Sequence, residues 1–508
     1  MADAGRGGQS LAQTGMSRGM QRDEMKEKRV LTETGREEIR TWVRERMPDV
    51  VRDLERICRI RSVAEMKGAE REPFGQGCVD VLEEMLQIGR ENGFFTHNYD
   101  DYVGRITLTE QTDMENGVGI WAHLDVVNEG EGWEHDPYTP VVKDGYMIAR
   151  GCQDNKSSAI IGLYVLKYMK EHDIMPSHPL GLYLGTCEEQ GMYDIDYYLE
   201  HYAAPTLSLV PDSGFPVCCG ERGSFNGELK AERGCKDILD IICDCGQYTV
   251  PDKASVVLRD TQERWEACGG LGESFSVARQ DGRITITASG ISTQAANPEK
   301  GDSALTRLAE LMVNRKLAGE EELEAFRLVC DMNRDHHGTA LNVYQTDELS
   351  GPTIMVATQM RMEEGRPVIG FISKYPFTCS DFPYEENTRA VAEERGFSLK
   401  TTRLARSTYF NPDREVVRLL TDVSNEILGR QDKPFVMSGG TYARKLPNAL
   451  AFGAGMPLPP PPEGMFAPGH GDYHQPDESI RLERIQKGLE VYICGLLELD
   501  GVHNLLDD

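Results

Sequence analysis

Apolar residues recur at mixed three- and four-residue steps from about Glu37, through Ile39, Val43, Val50, Val51, Leu54 and Ile57. This spacing predicts an amphipathic helix. Thr34 is placed to cap it, with Glu37 three residues on. A second helical pattern covers about 77–92, through Val79, Val81, Leu82, Met85, Leu86 and Ile88. The period then changes. Short apolar runs at 117–123, 179–187 and 206–210 predict strands, and helical patterns at 157–170 and 192–200 separate them. A β-α-β-α-β order of this kind predicts a mostly parallel sheet covered by helices.

Beyond Gly223 the pattern shifts to alternating or β-branched runs at 226–233, 239–243, 282–288, 340–345, 353–360, 367–373 and 397–403. Helical patterns interrupt them only at 302–317 and 386–395. Strands with so few crossover helices predict an inserted α+β domain. From about 413 the helical period returns, at Val416, Val417, Leu419, Leu420, Val423, Ile427 and Leu428. A strand-like run at 449–453 and a last helix over about 478–498 follow. Residues 457–462 read PLPPPP and predict an extended loop. The chain shows no internal repeat.

Composition narrows the function classes. The 508 residues predict two to four domains at about 150 residues each. Lys and Arg number 55 against 83 Asp and Glu, a net charge of −28. That excludes a nucleic-acid backbone as main partner and argues against docking on an anionic membrane surface. The 13 cysteines form no dense framework. Their only close pairs, Cys218-Cys219 and Cys243-x-Cys245, lack zinc-knuckle spacing, so reduced thiols in a cytoplasmic protein are expected. The first 30 or so residues carry five glycines and no apolar stretch of signal-peptide length, and predict a flexible tail. Nowhere does the chain carry the roughly 18 continuous apolar residues of a membrane span.

Candidate chemistry gathers just past the strands of the α/β part. His123 and Asp125 follow the first, Glu188 and Glu189 end the second, and Asp212 ends the third, while Asp154 sits in the turn before the 157–170 helix. Singly, each has an ordinary reading: a core histidine, a solvated acidic pair, a turn residue, a helix cap. Together they point to one rim, because ligands of open α/β sheets bind outside the carboxyl ends of the strands. Carboxylates crowded at an apolar rim repel each other unless cations hold them. A mixture of imidazole and carboxylate suits zinc, manganese or cobalt.

These stretches also resemble a known family. GIWAHLDVV at 119–127, GCQDNKSSA at 151–159, TCEEQG at 186–191, VPDSGFPV at 210–217, SGGTYARKLPNALAFG at 438–453 and DYHQPDE at 472–478 resemble, in order and spacing, motifs of the dinuclear-metal peptidases. That family includes PepV-type dipeptidases, aminoacylase, ArgE and carboxypeptidase G, and the PepV-like dipeptidase branch is the nearest in pattern. The resemblance covers about residues 36–500. It implies two divalent metal ions per chain, zinc first, with manganese or cobalt as alternatives. By the same resemblance His123 binds one metal, Asp154 bridges both, Asp212 completes the first set, and Glu189 and His474 complete the second. Asp125 would orient His123, and Glu188 would act as general base on a metal-activated water. His470, four residues before His474, reads as a loop residue. Arg444 stands where the family holds the substrate's terminal carboxylate, which suits a guanidinium. Gly439 and Gly440 would let backbone N–H groups come close, and Asn342 resembles a lid residue that faces substrate.

One position departs from the pattern. The family's lid carries a histidine in a Gly-x-Ser-x-His-Ala segment, and this chain has Gln294 there, in Gly290-Ile291-Ser292-Thr293-Gln294-Ala295. A glutamine amide can donate to an oxyanion but carries no positive charge. Three readings therefore stand: a metal-dependent dipeptidase, a hydrolase of N-acyl amino acids, and a catalytically weakened metal- or peptide-binding relative. The resemblance implies a tail at 1–35, a catalytic domain split between 36–223 and 407–508, and an inserted lid at 224–406. The enlarged lid favours a monomer over a homodimer, with a small peptide or N-acyl amino acid as the expected partner.

Overall fold

The computed structural model describes residues 31–66, 73–110, 114, 116–243, 246 and 248–506. Residues 1–30 of the expected tail, and Cys245, lie outside the described residues. The chain divides into two compact units. One comprises Met1–Cys219, Phe410–Phe435 and Thr441–Asp508, and the other Gly220–Tyr409 and Val436–Gly440.

In the first unit, the strands Val118–His123, Leu180–Gly185 and Leu207–Val210 are buried along their whole length. Val118–His123 pairs in parallel with both of the others, and Ala449–Ala451 extends the parallel set beside Leu207–Val210. Runs buried on both faces read as continuous apolar stretches, which is why their strand character shows in the sequence. Phe95–Tyr99 and Val103–Thr107 add antiparallel strands at one side. The sequence pattern missed both. Phe95–Tyr99 is an edge strand with only Tyr99 buried, so it carries no apolar run. Asp100 and Asp101, both at positive φ, turn the chain between them.

Helices Glu33–Cys58, Lys156–Glu171 and Leu482–Leu499 pack on one another, and Leu482–Leu499 also packs on Glu415–Leu428. The contact of Lys156–Glu171 with the sheet depends on Gly162, where a Cβ would lie 2.6 Å from Leu182 Cδ1. The first helix begins earlier than its apolar periodicity indicates. Thr32, not Thr34, caps it: its hydroxyl accepts from Gly35 N at 3.2 Å. The added residues Glu33 and Thr34 are exposed, so hydrophobic spacing gives no sign of them. The core of this unit joins Ile120, Leu182, Leu209, Leu163 and Ile493.

The second unit is an eight-stranded antiparallel sheet. In order across it run Phe275–Gln280, Arg283–Ser289, Lys253–Arg259, Ile238–Cys243, Ile354–Glu363, Arg366–Tyr375, Gly223–Ala231 and Phe397–Ala405. Alternate side chains such as Ala254, Val256, Leu258, Ile284 and Ile286 point into a core shared with helices Ala304–Arg315 and Glu324–Met332. The 340–345 run is not a strand. Residues Thr339–Leu341 form a 3-10 turn, and Asn342 follows in left-handed backbone at φ 55°. Leu341 and Val343 are apolar there because the turn is buried.

A candidate two-cation active site

All five residues expected to hold metal come together within the first unit. His123 closes its strand, is 1% exposed, and places Nε2 3.1 Å from Asp154 Oδ1 and 3.9 Å from Asp212 Oδ2. Asp154 reaches the other way as well, with Oδ2 3.2 Å from His474 Nε2. His474 Nε2 is also 2.9 Å from Glu189 Oε1. The carboxylate of Asp154 therefore lies between two imidazoles, one attended by Asp212 and the other by Glu189. Ligand atoms of His123, Asp154 and Glu189 lie within 4.8 Å of one another, and so do those of His123, Glu188 and Asp212.

The surrounding backbone is held by carboxylates. Asp125, fully buried, accepts from Glu188 N at 2.9 Å and Glu189 N at 3.0 Å. The His123 ring meets the Asp125 backbone carbonyl, with Nδ1 to O at 3.0 Å, more closely than its carboxylate at 3.5 Å. The Asp125 side chain thus fixes the Glu188-Glu189 pair as much as it orients the histidine. Glu478 Oε1 accepts from the amides of Gln153 and Asp154 at 3.0 and 3.1 Å, and Glu478 Oε2 pairs with buried Arg150 at 2.7 Å. Asp477 accepts from His135 N at 2.9 Å and lies 2.6 Å from the ring of His470. Asp154 caps no helix: Asn155 is the N-cap of Lys156–Glu171, without a side-chain cap.

Electrostatics follow from this crowding. Burial pulls His123 down, yet hydrogen bonds with Asp125 and Asp154 outweigh it and leave the ring well above its ordinary pKa. Burial likewise opposes protonation of His474, and bonds with Asp154 and Glu189 raise it to about 11. Burial raises Asp154, but the two histidines outweigh it and hold the carboxylate below its ordinary range. Burial pushes Glu188 well above the carboxylate range, opposed by His123 and reinforced by Asp212 and Glu189. Its Oε1 is buried with no hydrogen-bond partner. Protonated imidazoles here supply the positive charge that the carboxylates need. The donor set fits divalent cations, which supply the same charge with neutral histidines.

The residues expected to bind substrate divide. Arg444 is half-buried in the 3-10 turn Tyr442–Arg444 of the first unit. Gly439 and Gly440 are exposed and fall in the second unit, as do Gln294 and Asn342. Gln294 lies on the short strand Thr293–Gln294, paired with Thr249–Val250, and its side chain is exposed. The carbonyl of Asn342 accepts from Asn387 Nδ2 at 3.1 Å.

Sequence reasoning missed several side chains that hold the centre. Besides Arg150 they include Asp194, Tyr442 and Lys156, whose buried Nζ donates to the Ile57 and Ile60 carbonyls at 3.0 Å. The available signal was chemical: a lysine within the 151–159 motif and a tyrosine two residues before Arg444.

Comparison with known proteins gives the family and the fold. Two relatives are each 27% identical over 89% of this chain and 97% of their own length. They are the provisionally named dipeptidase YtjP of Bacillus subtilis and a provisionally named dipeptidase of Staphylococcus epidermidis. Among solved structures, human carnosine dipeptidase 1 superposes with a TM-score of 0.53 at 13% identity, covering 92% of this chain and 99% of its own. The di-peptidase Dug1p of Saccharomyces cerevisiae gives 0.55 at 12% identity, covering 93% and 100%. At such identities these two structures speak for the fold, a mixed α/β architecture with a mostly parallel central sheet. A sequence profile of peptidase family M20/M25/M40 spans residues 119–498, from the His123 strand past His474, and the chain belongs to that family.

Proposed function

We propose that this metallopeptidase is a dipeptidase, cleaving the amide bond of a short peptide whose free carboxylate is held by Arg444. The observation that carries the reading is the placement of Asp154 between His123 and His474, with Glu188 beside them bearing a buried, unpartnered oxygen. The dipeptidase names of the relatives support a peptide over an N-acyl amino acid substrate.

In this reading His123, Asp154 and Asp212 would hold one cation, and Asp154, Glu189 and His474 the other, with zinc the expected metal and manganese or cobalt alternatives. When bound, the cations supply Lewis acidity toward the substrate carbonyl and a lowered water pKa. Glu188 does the proton work: its Oε1 accepts a proton from the attacking water and passes it to the leaving amine. Arg444 fixes which end of the peptide enters, since a guanidinium offers two parallel N–H groups to a carboxylate. The described cysteines are all free thiols, which supports a cytoplasmic setting. No described helix is long and apolar enough to cross a membrane. A monomer is the expected state.

The test is Glu188→Gln assayed with zinc or manganese on a dipeptide panel and an N-acetyl amino acid panel. On dipeptides kcat should fall roughly 100- to 10,000-fold, with metal content by mass spectrometry unchanged. Wild-type kcat in the variant would remove Glu188 as the base. Turnover of the acetylated panel alone would replace the dipeptidase reading.

A further inference from the structure

Four consecutive backbone amides, at residues 186 to 189, follow the end of the Leu180–Gly185 strand and precede any helix. They have left the sheet ladder and need other acceptors. Two buried carboxylates take all four. Thr186 N and Cys187 N donate to Asp194 Oδ2 at 2.7 and 3.0 Å, and Glu188 N and Glu189 N donate to Asp125. Both aspartates are 0% exposed. The second oxygen of Asp194 accepts from Ile195 N at 2.9 Å.

The same Asp194 Oδ2 also accepts from the phenol of Tyr442, itself 1% exposed. Tyr442 opens the turn that carries Arg444. Lys445, at the end of that turn, donates to the carbonyls of Gly191 and Met192 at 2.9 and 3.0 Å and pairs with Asp196. Gly185 leaves room for this junction, because a Cβ there would collide with Tyr442 Oη and Asp194 Oδ2. Neutral side chains could satisfy two backbone amides, whereas a fully buried carboxylate is costly unless well hydrogen-bonded. Asp194 receives four hydrogen bonds, and one of them comes from the Arg444 turn.

We propose that Asp194 is a positioning residue for hydrolysis: with Tyr442 it locks the backbone at 186 and 187, directly ahead of Glu188, and joins that segment to the turn bearing Arg444. The proposal rests on Glu188 as base and Arg444 as carboxylate anchor. Its consequence is that the base and the substrate's anchored end share one rigid link. Misplacement of reacting groups by about 1 Å can cost on the order of 100-fold in rate.

Three variants test it on metal-loaded enzyme with a dipeptide: Tyr442→Phe, Asp194→Asn and Asp194→Ala, with Glu188→Gln as control. Tyr442→Phe removes one hydroxyl and should fold. It should lower kcat about 10- to 100-fold, with KM within about twofold and metal content and melting temperature near wild type. Asp194→Asn keeps an acceptor oxygen and should retain more kcat than Asp194→Ala. Wild-type kcat in Tyr442→Phe would overturn the proposal, as would a loss of rate that follows loss of metal or of melting temperature. An inactive Glu188→Gln beside a fully active Tyr442→Phe removes only the link. A fully active Glu188→Gln removes the base assignment beneath it.

Discussion

His474 is held up to about 11 because its bonds with Asp154 and Glu189 outweigh the pull of burial. His123 is raised by Asp125 and Asp154 in the same way. Both shifts favour the charged imidazole in the cation-free protein, and a metal accepts only the neutral ring. Zinc binding should release protons from both. Titration calorimetry in two buffers of different ionisation heat checks this, and identical heats would refute it. The shift also has a stability sign. The folded value of His474 lies above the unfolded value of about 6.5, so its contribution is complete below that pH and fades as pH rises toward about 11. Chelated protein should lose melting temperature between about pH 7 and about pH 10 more steeply than zinc-loaded protein. At this scale the residues that gather here were legible, because each sits in a short motif: His123, Glu189 and Asp212 at or just past strand ends, Asp154 in the turn before a helix and His474 in the loop before Ser479–Arg481. Asp194 was not, because its bond with Tyr442 spans 248 positions and nothing local marks either residue.

Arg150 and Glu478 show how separate elements fix the turn that carries Asp154. Their ion pair is 1% exposed at both ends, and Arg150 also faces the Trp133 ring at 5.0 Å. Glu478 then takes the amides of Gln153 and Asp154, so the turn before the Lys156–Glu171 helix depends on a residue 324 positions from Asp154. Removing one partner of a buried pair typically costs about 3–5 kcal/mol. Arg150→Ala should lower stability by an amount of that order, read as a lower melting temperature, and zinc affinity should fall about 10- to 100-fold. Retained affinity in a destabilised variant would limit Arg150 to a structural role. Element types were readable where burial is two-sided, as in Val118–His123, and unreadable in the Phe95–Tyr99 edge strand, where side chains face water. The 340–345 stretch misled for the opposite reason, since a buried turn carries the apolar residues of a strand.

Each of the two units has its own apolar core. Two cores that do not depend on the same ligand should melt separately. Calorimetry should show two transitions, with chelation lowering only that of the first unit, which holds the donor set. Ile286→Ala, at a fully buried position in the second core, should lower only the other transition, through a loss of about 2–5 kcal/mol. A single transition that shifts as a whole in both experiments would refute this independence. Motif order in the sequence pointed to an insertion at 224–406. The compact units divide at Gly220 and Tyr409 and assign Val436–Gly440 to the second. Such a short return segment has no composition of its own; only its spatial neighbours decide where it belongs.

The split of the first unit has a consequence for biosynthesis. When residue 440 leaves the ribosome, His123, Asp154, Glu189 and Asp212 have been made, and so has the entire second unit. The Ala449–Ala451 strand, which sits between Leu207–Val210 and Cys218–Glu221, has not. Until it arrives the sheet has an open slot, and until His474 follows, one imidazole is missing from the donor set. The full set of imidazoles and carboxylates can therefore gather only after residue 474 has been made, and a chain that stops before it lacks one imidazole.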